Sequence, residues 1–176
     1  FESFYKITMG ELLTMQAGGY ADKTFIVTGN DRWTYAEAEK QAAAVANGLR
    51  GLGLQPGDRV SIILPNTAQY IISIFGIAKA GLILNPINVR RHKDEVALRL
   101  AKTRPCALIT NAEHLPMMME LRATLPELKH LITVDGGGGS IALDDLLKAR
   151  TDSPLAGGKP DDVAAILYTL GNSGNP

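Results

Sequence analysis

A chain of 176 residues, 45% hydrophobic and 20% charged, carries apolar material for one sizeable core and too little length for two large domains. Its 18 Lys and Arg balance 18 Asp and Glu, so no overall field steers it toward nucleic acid or an anionic membrane. One cysteine, Cys106, excludes an internal disulfide framework, and its apolar surroundings in the sequence make it a small core side chain.

Residues 8–17 have the pattern of a short amphipathic helix that ends before Gly18 and Gly19. Residues 24–27 and 32–34 flank Thr28-Gly29-Asn30-Asp31, a hairpin signature. Thr34 with Glu37 three residues on forms a capping box, in which hydroxyl and carboxylate satisfy free amides of the first helical turn. Ala38, Ala42, Val45, Leu49 and Leu52 then recur at four-three spacing, one apolar stripe of a helix that Gly51 and Gly53 end.

From there strand and helix alternate. Residues 59–64 are a predicted strand, and Asn66, with Gln69 three on, caps a helix reaching Ala80. Residues 82–86 form the next strand, 93–102 a helix with Val96, Ala97, Leu100 and Ala101 on one face, and 107–110 a strand. Pro116 suits the first turn of a helix through Ala123, 130–134 is a strand, and 141–149 is the last helix before an apolar run at 163–168. That run, rich in β-branched and aromatic residues, reads as a strand covered on both faces. Five strands separated by four helices predict an α/β fold: a layered α-β-α domain with a largely parallel sheet and a small N-terminal hairpin. The whole span 1–176 is expected to be a single domain.

The region 60–87 is broken by Pro65, Asn66, Gln69 and Lys79, and its helical part falls short of the ~20 apolar residues that span a bilayer. No basic segment followed by an apolar one opens the chain, so the expectation is a cytoplasmic protein. Gly136-Gly137-Gly138-Gly139-Ser140 has linker composition and is expected to be a native loop between strand and helix. His92, His114 and His130 lack metal-ligand spacing. Arg90-Arg91-His92-Lys93 reads as a solvated helix entrance, or as a group approaching a phosphate or CoA. Met117-Met118-Met119 reads as core filling, or as the lining of an acyl tunnel.

Beyond the final apolar run the chain reads Tyr168-Thr169-Leu170-Gly171-Asn172-Ser173-Gly174-Asn175-Pro176. Gly171 and Gly174 can turn successive N–H groups into one concavity, and Thr169, Asn172 and Ser173 add side-chain donors, an arrangement that holds an anion. Composition alone also allows an ordinary strand-to-loop turn. It is not a Walker loop, since no lysine follows Lys159, and it lacks the final glycine of a nucleophile elbow.

This stretch resembles Y-T-S-G-[ST]-T-G-x-P-K-G, the phosphate loop of the adenylate-forming, AMP-binding enzymes. Further segments resemble the family in its own order. Arg32-Trp33-Thr34-Tyr35-Ala36-Glu37-Ala38 is similar to its T-Y-x-E-L opening, Gly53 to Val60 to G-x-x-P-G-D-x-V, Leu64-Pro65-Asn66 to L-P-N, and Lys79-Ala80-Gly81 through Pro86 to K-A-G-x-x-x-x-P. Asn85-Pro86-Ile87-Asn88-Val89-Arg90 followed by Glu95-Val96 looks most like the acyl-CoA synthetases of fatty-acid type.

The resemblance implies the first subdomain of the family's N-terminal domain and an acid–thiol ligase as the parent protein. That parent joins a carboxylic acid to CoA through an acyl-adenylate, with ATP and Mg²⁺. Carried over residue by residue, Thr169, Gly171, Asn172, Ser173 and Gly174 are the phosphate-contacting positions. Leu170 departs from the family serine, and Asn172 from Ser or Thr. The segments that in the family supply the adenine pocket, the magnesium-binding glutamate and the catalytic lysine lie after position 176. No catalytic residue or metal ligand is therefore assigned, and the 176 residues alone are expected to be inactive. The alternative is a non-catalytic truncated paralogue that binds a nucleotide or a partner. A sheet completed by later chain is also expected to leave an exposed flank that favours self-association.

Overall fold

Threonine-led capping boxes start the first two helices. Thr8 Oγ1 accepts from the Glu11 amide while Glu11 Oε2 accepts from the Thr8 amide at 2.6 Å, and Thr34 and Glu37 repeat the arrangement. The computed structural model describes residues 6–148 and 157–168. Its elements begin with α1 (Met9–Tyr20), the antiparallel hairpin β1 (Thr24–Thr28) and β2 (Asp31–Thr34), and α2 (Tyr35–Gly51). Next come β3 (Arg59–Ile63), α3 (Ala68–Lys79), β4 (Ile83–Pro86), α4 (Lys93–Thr103) and β5 (Ala107–Thr110). The series closes with α5 (Leu115–Arg122), β6 (His130–Thr133), β7 (Ile141–Ala142) and α6 (Leu143–Leu147).

β3 to β7 form a five-stranded parallel sheet in the order β4-β3-β5-β6-β7. Val60, Ile62, Leu84, Ile109 and Ile132 pack on one face against Val45, Leu49, Ile72, Ile77 and Leu146 of α2, α3 and α6. Ile63, Leu108 and Leu131 pack on the other against Val96, Leu100, Met118 and Leu121 of α4 and α5. Strands covered on both faces are apolar on both, which is why 60–63, interrupted by the buried Ser61, and 107–110 are largely apolar. The α/β sandwich and the hairpin agree with the sequence reading.

Several details differ from it. α1 runs through Gly18 and Gly19 to Tyr20, an exposed last turn in which nothing crowds either glycine. Thr67, not Asn66, caps α3, with its hydroxyl accepting from the Tyr70 amide. The segment expected as a helix over 141–149 begins instead with the two-residue strand β7, paired with β6, and turns helical only at Leu143.

The largest correction falls on 163–168, which is neither a full strand nor covered. One parallel bridge joins Ala165 to Leu84, with the Leu84 amide donating to Ala164 O at 3.0 Å and the Ile166 amide to Leu84 O at 2.8 Å. Val163 is 61% and Leu167 68% exposed, because the segment lies beyond β4 at the sheet margin. An apolar run reports that a side chain is suited to burial, not which chain buries it.

α2 is buried on more than the predicted stripe. Ala44, Ala46 and Gly48 are buried beside Ala38, Ala42, Val45 and Leu49, since α1, α3 and α6 all pack on this helix. α4 turns Val96, Arg99, Leu100 and Thr103 inward and leaves Ala101 exposed, correcting the expected face. The glycine run 136–139 closes the connection from β6 to β7: Ser140 Oγ donates to Gly137 O at 2.8 Å and lies 2.9 Å from Thr133 Oγ1. It joins two paired strands, where a connection from strand to helix was expected.

Candidate functional site

In parallel sheets ligands gather beyond the C-terminal strand ends, where loops leave in different directions. The chain here passes from β3 to β4 on one side and then returns past β3 to β5 on the other. An open concavity of about 460 Å³ lies at the ends of β3 and β4, lined by Leu64, Pro65 and Asn66, by Tyr70 of α3, and by residues 86–90. Pro65 fixes the turn out of β3, and the Thr67 cap turns the chain into α3, so Tyr70 faces the hollow from the first helical turn. Burial pushes the Tyr70 hydroxyl above its ordinary pKa, which keeps it a neutral donor.

Asn88 shapes the opposite wall. Its Oδ1 accepts from the Arg90 amide at 2.8 Å, a local turn that leaves Arg90 exposed at the rim. Arg91 and Lys93 are committed elsewhere: Arg91 pairs with Glu95 at 3.0 Å, and Lys93 pairs with Glu120. Only Arg90 of that basic run therefore lines the concavity. Met118 is buried in the core and Met119 is exposed, so the three methionines line no common tunnel.

A second feature converges on the same end of the sheet. Three residues beyond the bridge at Ala165, toward the C-terminal end of β4, Tyr168 meets the Arg99 guanidinium, which sits 4.8 Å over its ring. Glu95, one turn earlier on α4, accepts from Arg99 Nη2 at 2.7 Å. Burial pushes the Glu95 carboxyl up, but hydrogen bonds and charge from Arg99 and Arg91 hold it below the ordinary carboxylate value. Sequence reading passed over Arg99, because an arginine in a helix is exposed by default. The available signal was the apolar spacing of Val96, Leu100 and Thr103 around it.

Thr169, Gly171, Asn172, Ser173 and Gly174, the predicted phosphate-contacting residues, lie outside the described residues, and Tyr168 is the last one described before them. No group of three His, Cys, Asp or Glu side chains able to hold a metal stands together among the described residues. His92 precedes α4 without a side-chain capping bond, and His114 Nδ1 lies 2.7 Å from Asn111 Oδ1. Burial, and then the Asp58 carboxylate, push the Cys106 thiol up, so it stays protonated and is no nucleophile.

The profile of the AMP-binding enzyme family matches residues 13–176, almost the whole chain. The chain belongs to the AMP-binding enzyme family. A crotonobetaine/carnitine–CoA ligase of Escherichia coli O17:K52:H18 (strain UMN026 / ExPEC) is 31% identical over 153 residues, 83% of this chain and 30% of that protein. The anthranilate CoA ligase AuaEII, solved with anthranoyl-AMP, superposes with a TM-score of 0.86 at 27% identity, over 95% of this chain and 32% of that one. A Mycobacterium tuberculosis fatty acyl CoA synthetase gives 0.82 at 28%, over 93% and 32%. The chain thus spans about a third of the length of these relatives.

AMP-binding family positions acquire physical roles here. Gly81 of the K-A-G segment has φ of +70°, and a Cβ there would stand 2.8 Å from the Gly158 amide nitrogen, so glycine is required on both counts. Lys79 of the same segment faces inward and binds α1 and α2, not the concavity. No helix among the described residues is long and apolar enough to cross a membrane.

His130 offers a pH handle. Burial first, and then the charges of Arg122 and Lys129, depress its pKa, while a hydrogen bond with the Leu52 backbone partly opposes them. A depressed histidine contributes stability that is complete above the unfolded value of about 6.5 and is lost as pH falls through that value toward the folded one. The native Tm is expected to drop between pH 7.5 and 5.5, and His130→Gln to flatten that slope. The lowered carboxylates Glu11, Glu37, Glu95 and Glu127 act only at more acidic pH, through and below the ordinary glutamate value of 4.5. An unchanged slope in the variant would exclude His130 as the cause.

Proposed function

We propose that these 176 residues form the N-terminal subdomain of an ATP-dependent acyl-CoA synthetase whose substrate is a carboxylic acid of fatty type. The observation that carries this reading is the family match across 13–176 on a sheet whose ligand-facing end holds the concavity and Tyr168, the residue before the proposed phosphate loop. The Asn85-to-Val96 segment supports the fatty-acid assignment.

In this reading a carboxylate oxygen attacks the α-phosphorus of ATP and pyrophosphate leaves. The CoA thiol sulfur then attacks the acyl carbon and AMP leaves. Two anions meet in the first step, so donors must be aligned in advance at the triphosphate. That task falls to the backbone N–H groups around Gly171 and Gly174 and to the side chains of Thr169, Asn172 and Ser173. Arg90, exposed at the rim, is suited to an anionic portion of a substrate by charge. A cytoplasmic location goes with ATP and CoA as substrates.

Two thirds of the relatives' length has no counterpart here, so the 176 residues alone are expected to give no ATP–pyrophosphate exchange with a panel of fatty and aromatic acids. Turnover by the purified chain would refute that expectation. Joining the chain to the C-terminal two thirds of a related ligase should restore exchange, and fatty acids should outpace aromatic ones.

Leu170 favours a second reading, a nucleotide-binding module without turnover, because a bulky apolar side chain replaces a hydroxyl beside the anion. That reading requires saturable heat on titration with ATP and no exchange in the joined protein. The exposed Val163 and Leu167 flank is proposed as a self-association surface, which a strict monomer by light scattering at high concentration would exclude.

A further inference from the structure

Arg99 is a costly residue where it stands. It is only 5% exposed, on the face of α4 that packs on the sheet, and a buried guanidinium needs partners for its charge and its donors. Glu95 supplies the charge and takes one donor at Nη2. Among the described residues the buried Nε has no hydrogen-bond partner. Volume alone would be met better by leucine, as at Leu100 beside it. The guanidinium also meets an aromatic ring, its Cζ 4.8 Å over the centre of Tyr168.

The chain around Tyr168 is otherwise weakly held. The Leu84 N–H and C=O tie 164–166 to β4, Leu167 is exposed, and the next residues are the phosphate-loop positions. We propose that Arg99 is the positioning residue of that loop: braced by Glu95, it fixes Tyr168 against α4 and so anchors the residue through which the chain enters 169–174. This inference rests on the reading of 169–174 as the triphosphate loop. A loop that starts from a fixed residue loses less conformational freedom on binding its anion, so affinity depends on a side chain that never touches the ligand. Arg99 also has what the task requires, since a planar guanidinium stacks on an aromatic face as a lysine ammonium does not.

The test uses the 176-residue chain, titrated with inorganic tripolyphosphate and followed through the backbone amides of 169–174 by NMR. In the native chain the Gly171, Ser173 and Gly174 amides should shift and saturate. Arg99→Leu should weaken that response about tenfold, as should Tyr168→Ala, while Tyr168→Phe stays close to native. Because both variants remove one shared contact, the double variant should be no weaker than either alone. Losses that multiply, or an Arg99→Leu response equal to native, would overturn the proposal. Tyr168→Ala alters a marginal residue and keeps the test open should Arg99→Leu fail to fold.

If tripolyphosphate moves none of these amides in the native chain, the phosphate-loop reading fails by itself. Arg99 is then judged without ligand. Amide hydrogen exchange over 169–174 should accelerate in Arg99→Leu and in Tyr168→Ala but not in Tyr168→Phe, and equal exchange in all four chains would reject the positioning role.

Discussion

Replacing Lys79 by alanine is expected to destabilise the chain by about 3 kcal/mol, the lower end of the cost of breaking a buried ion pair. The Lys79 side chain is 9% exposed, and its ammonium has three donors and three acceptors. Nζ donates to Gly10 O at 3.0 Å, Thr14 Oγ1 at 2.6 Å and Glu39 Oε1 at 2.7 Å, so one side chain of α3 fastens both α1 and α2. Glu39 is 23% exposed, which places the cost at the lower end of that range. The close approach depends on Gly10, where a Cβ would stand 2.9 Å from Lys79 Cα.

Once the ammonium is gone, Glu39 keeps one hydrogen bond, from Thr14 at 2.9 Å, and its other oxygen is buried without a partner. For a chain of this size about 3 kcal/mol corresponds to a fall of roughly 6–12 °C in Tm. Lys79→Met, which keeps the stem, should lose less. Adding Glu39→Gln to Lys79→Met should recover part of the loss, since removing both partners is milder than stranding one. Urea denaturation of the native chain, Lys79→Met, Glu39→Gln and the double variant gives the coupling, and additivity would show that the pair contributes nothing jointly.

Gly76→Val is expected to cost about 3 kcal/mol or more, through overpacking where α3 crosses α2. A Cβ at position 76 would lie 2.6 Å from Val45 Cγ1, 2.7 Å from Val45 Cβ and 3.1 Å from Ala42 O. Two of those atoms belong to or adjoin the α2 backbone, so rotation of a side chain gives no relief and the helices must part. Even Gly76→Ala should destabilise, despite the gain of roughly 1 kcal/mol that alanine brings to a helix interior. Gly18 of α1 provides the control, because a Cβ there meets open space. Gly18→Ala should therefore stabilise by about 0.5–1 kcal/mol. Thermal melts that move in the same direction for both alanine variants would defeat the explanation.

Much of this architecture was legible before any coordinates. The Thr34–Glu37 capping box, the hairpin turn around Gly29 and the largely apolar runs at 60–63 and 107–110 are local signals, and each met the partner it implied. The family was legible for a related reason. Its punctuation falls on prolines and glycines, residues whose backbone geometry is dictated position by position, as at Gly81. Boundaries were less legible. α1 continues through two exposed glycines, and β7 precedes α6 because pairing with β6 outweighs propensities of about 1 kcal/mol.

Sequence by itself determined the alternation of strand and helix, the parallel sheet this enforces, and membership in the AMP-binding family. Periodicity, caps and turns act over a few residues and are carried by the residues themselves. The tertiary structure alone decided which lysine is a staple, which arginine is buried, and that 163–168 lies at the margin with Val163 and Leu167 in solvent. Lys79 and Glu39 are 40 positions apart and Arg99 and Tyr168 lie on separate elements, so only folding brings them together. Burial of a charged or apolar side chain is set by what arrives opposite it, and no local pattern contains that information.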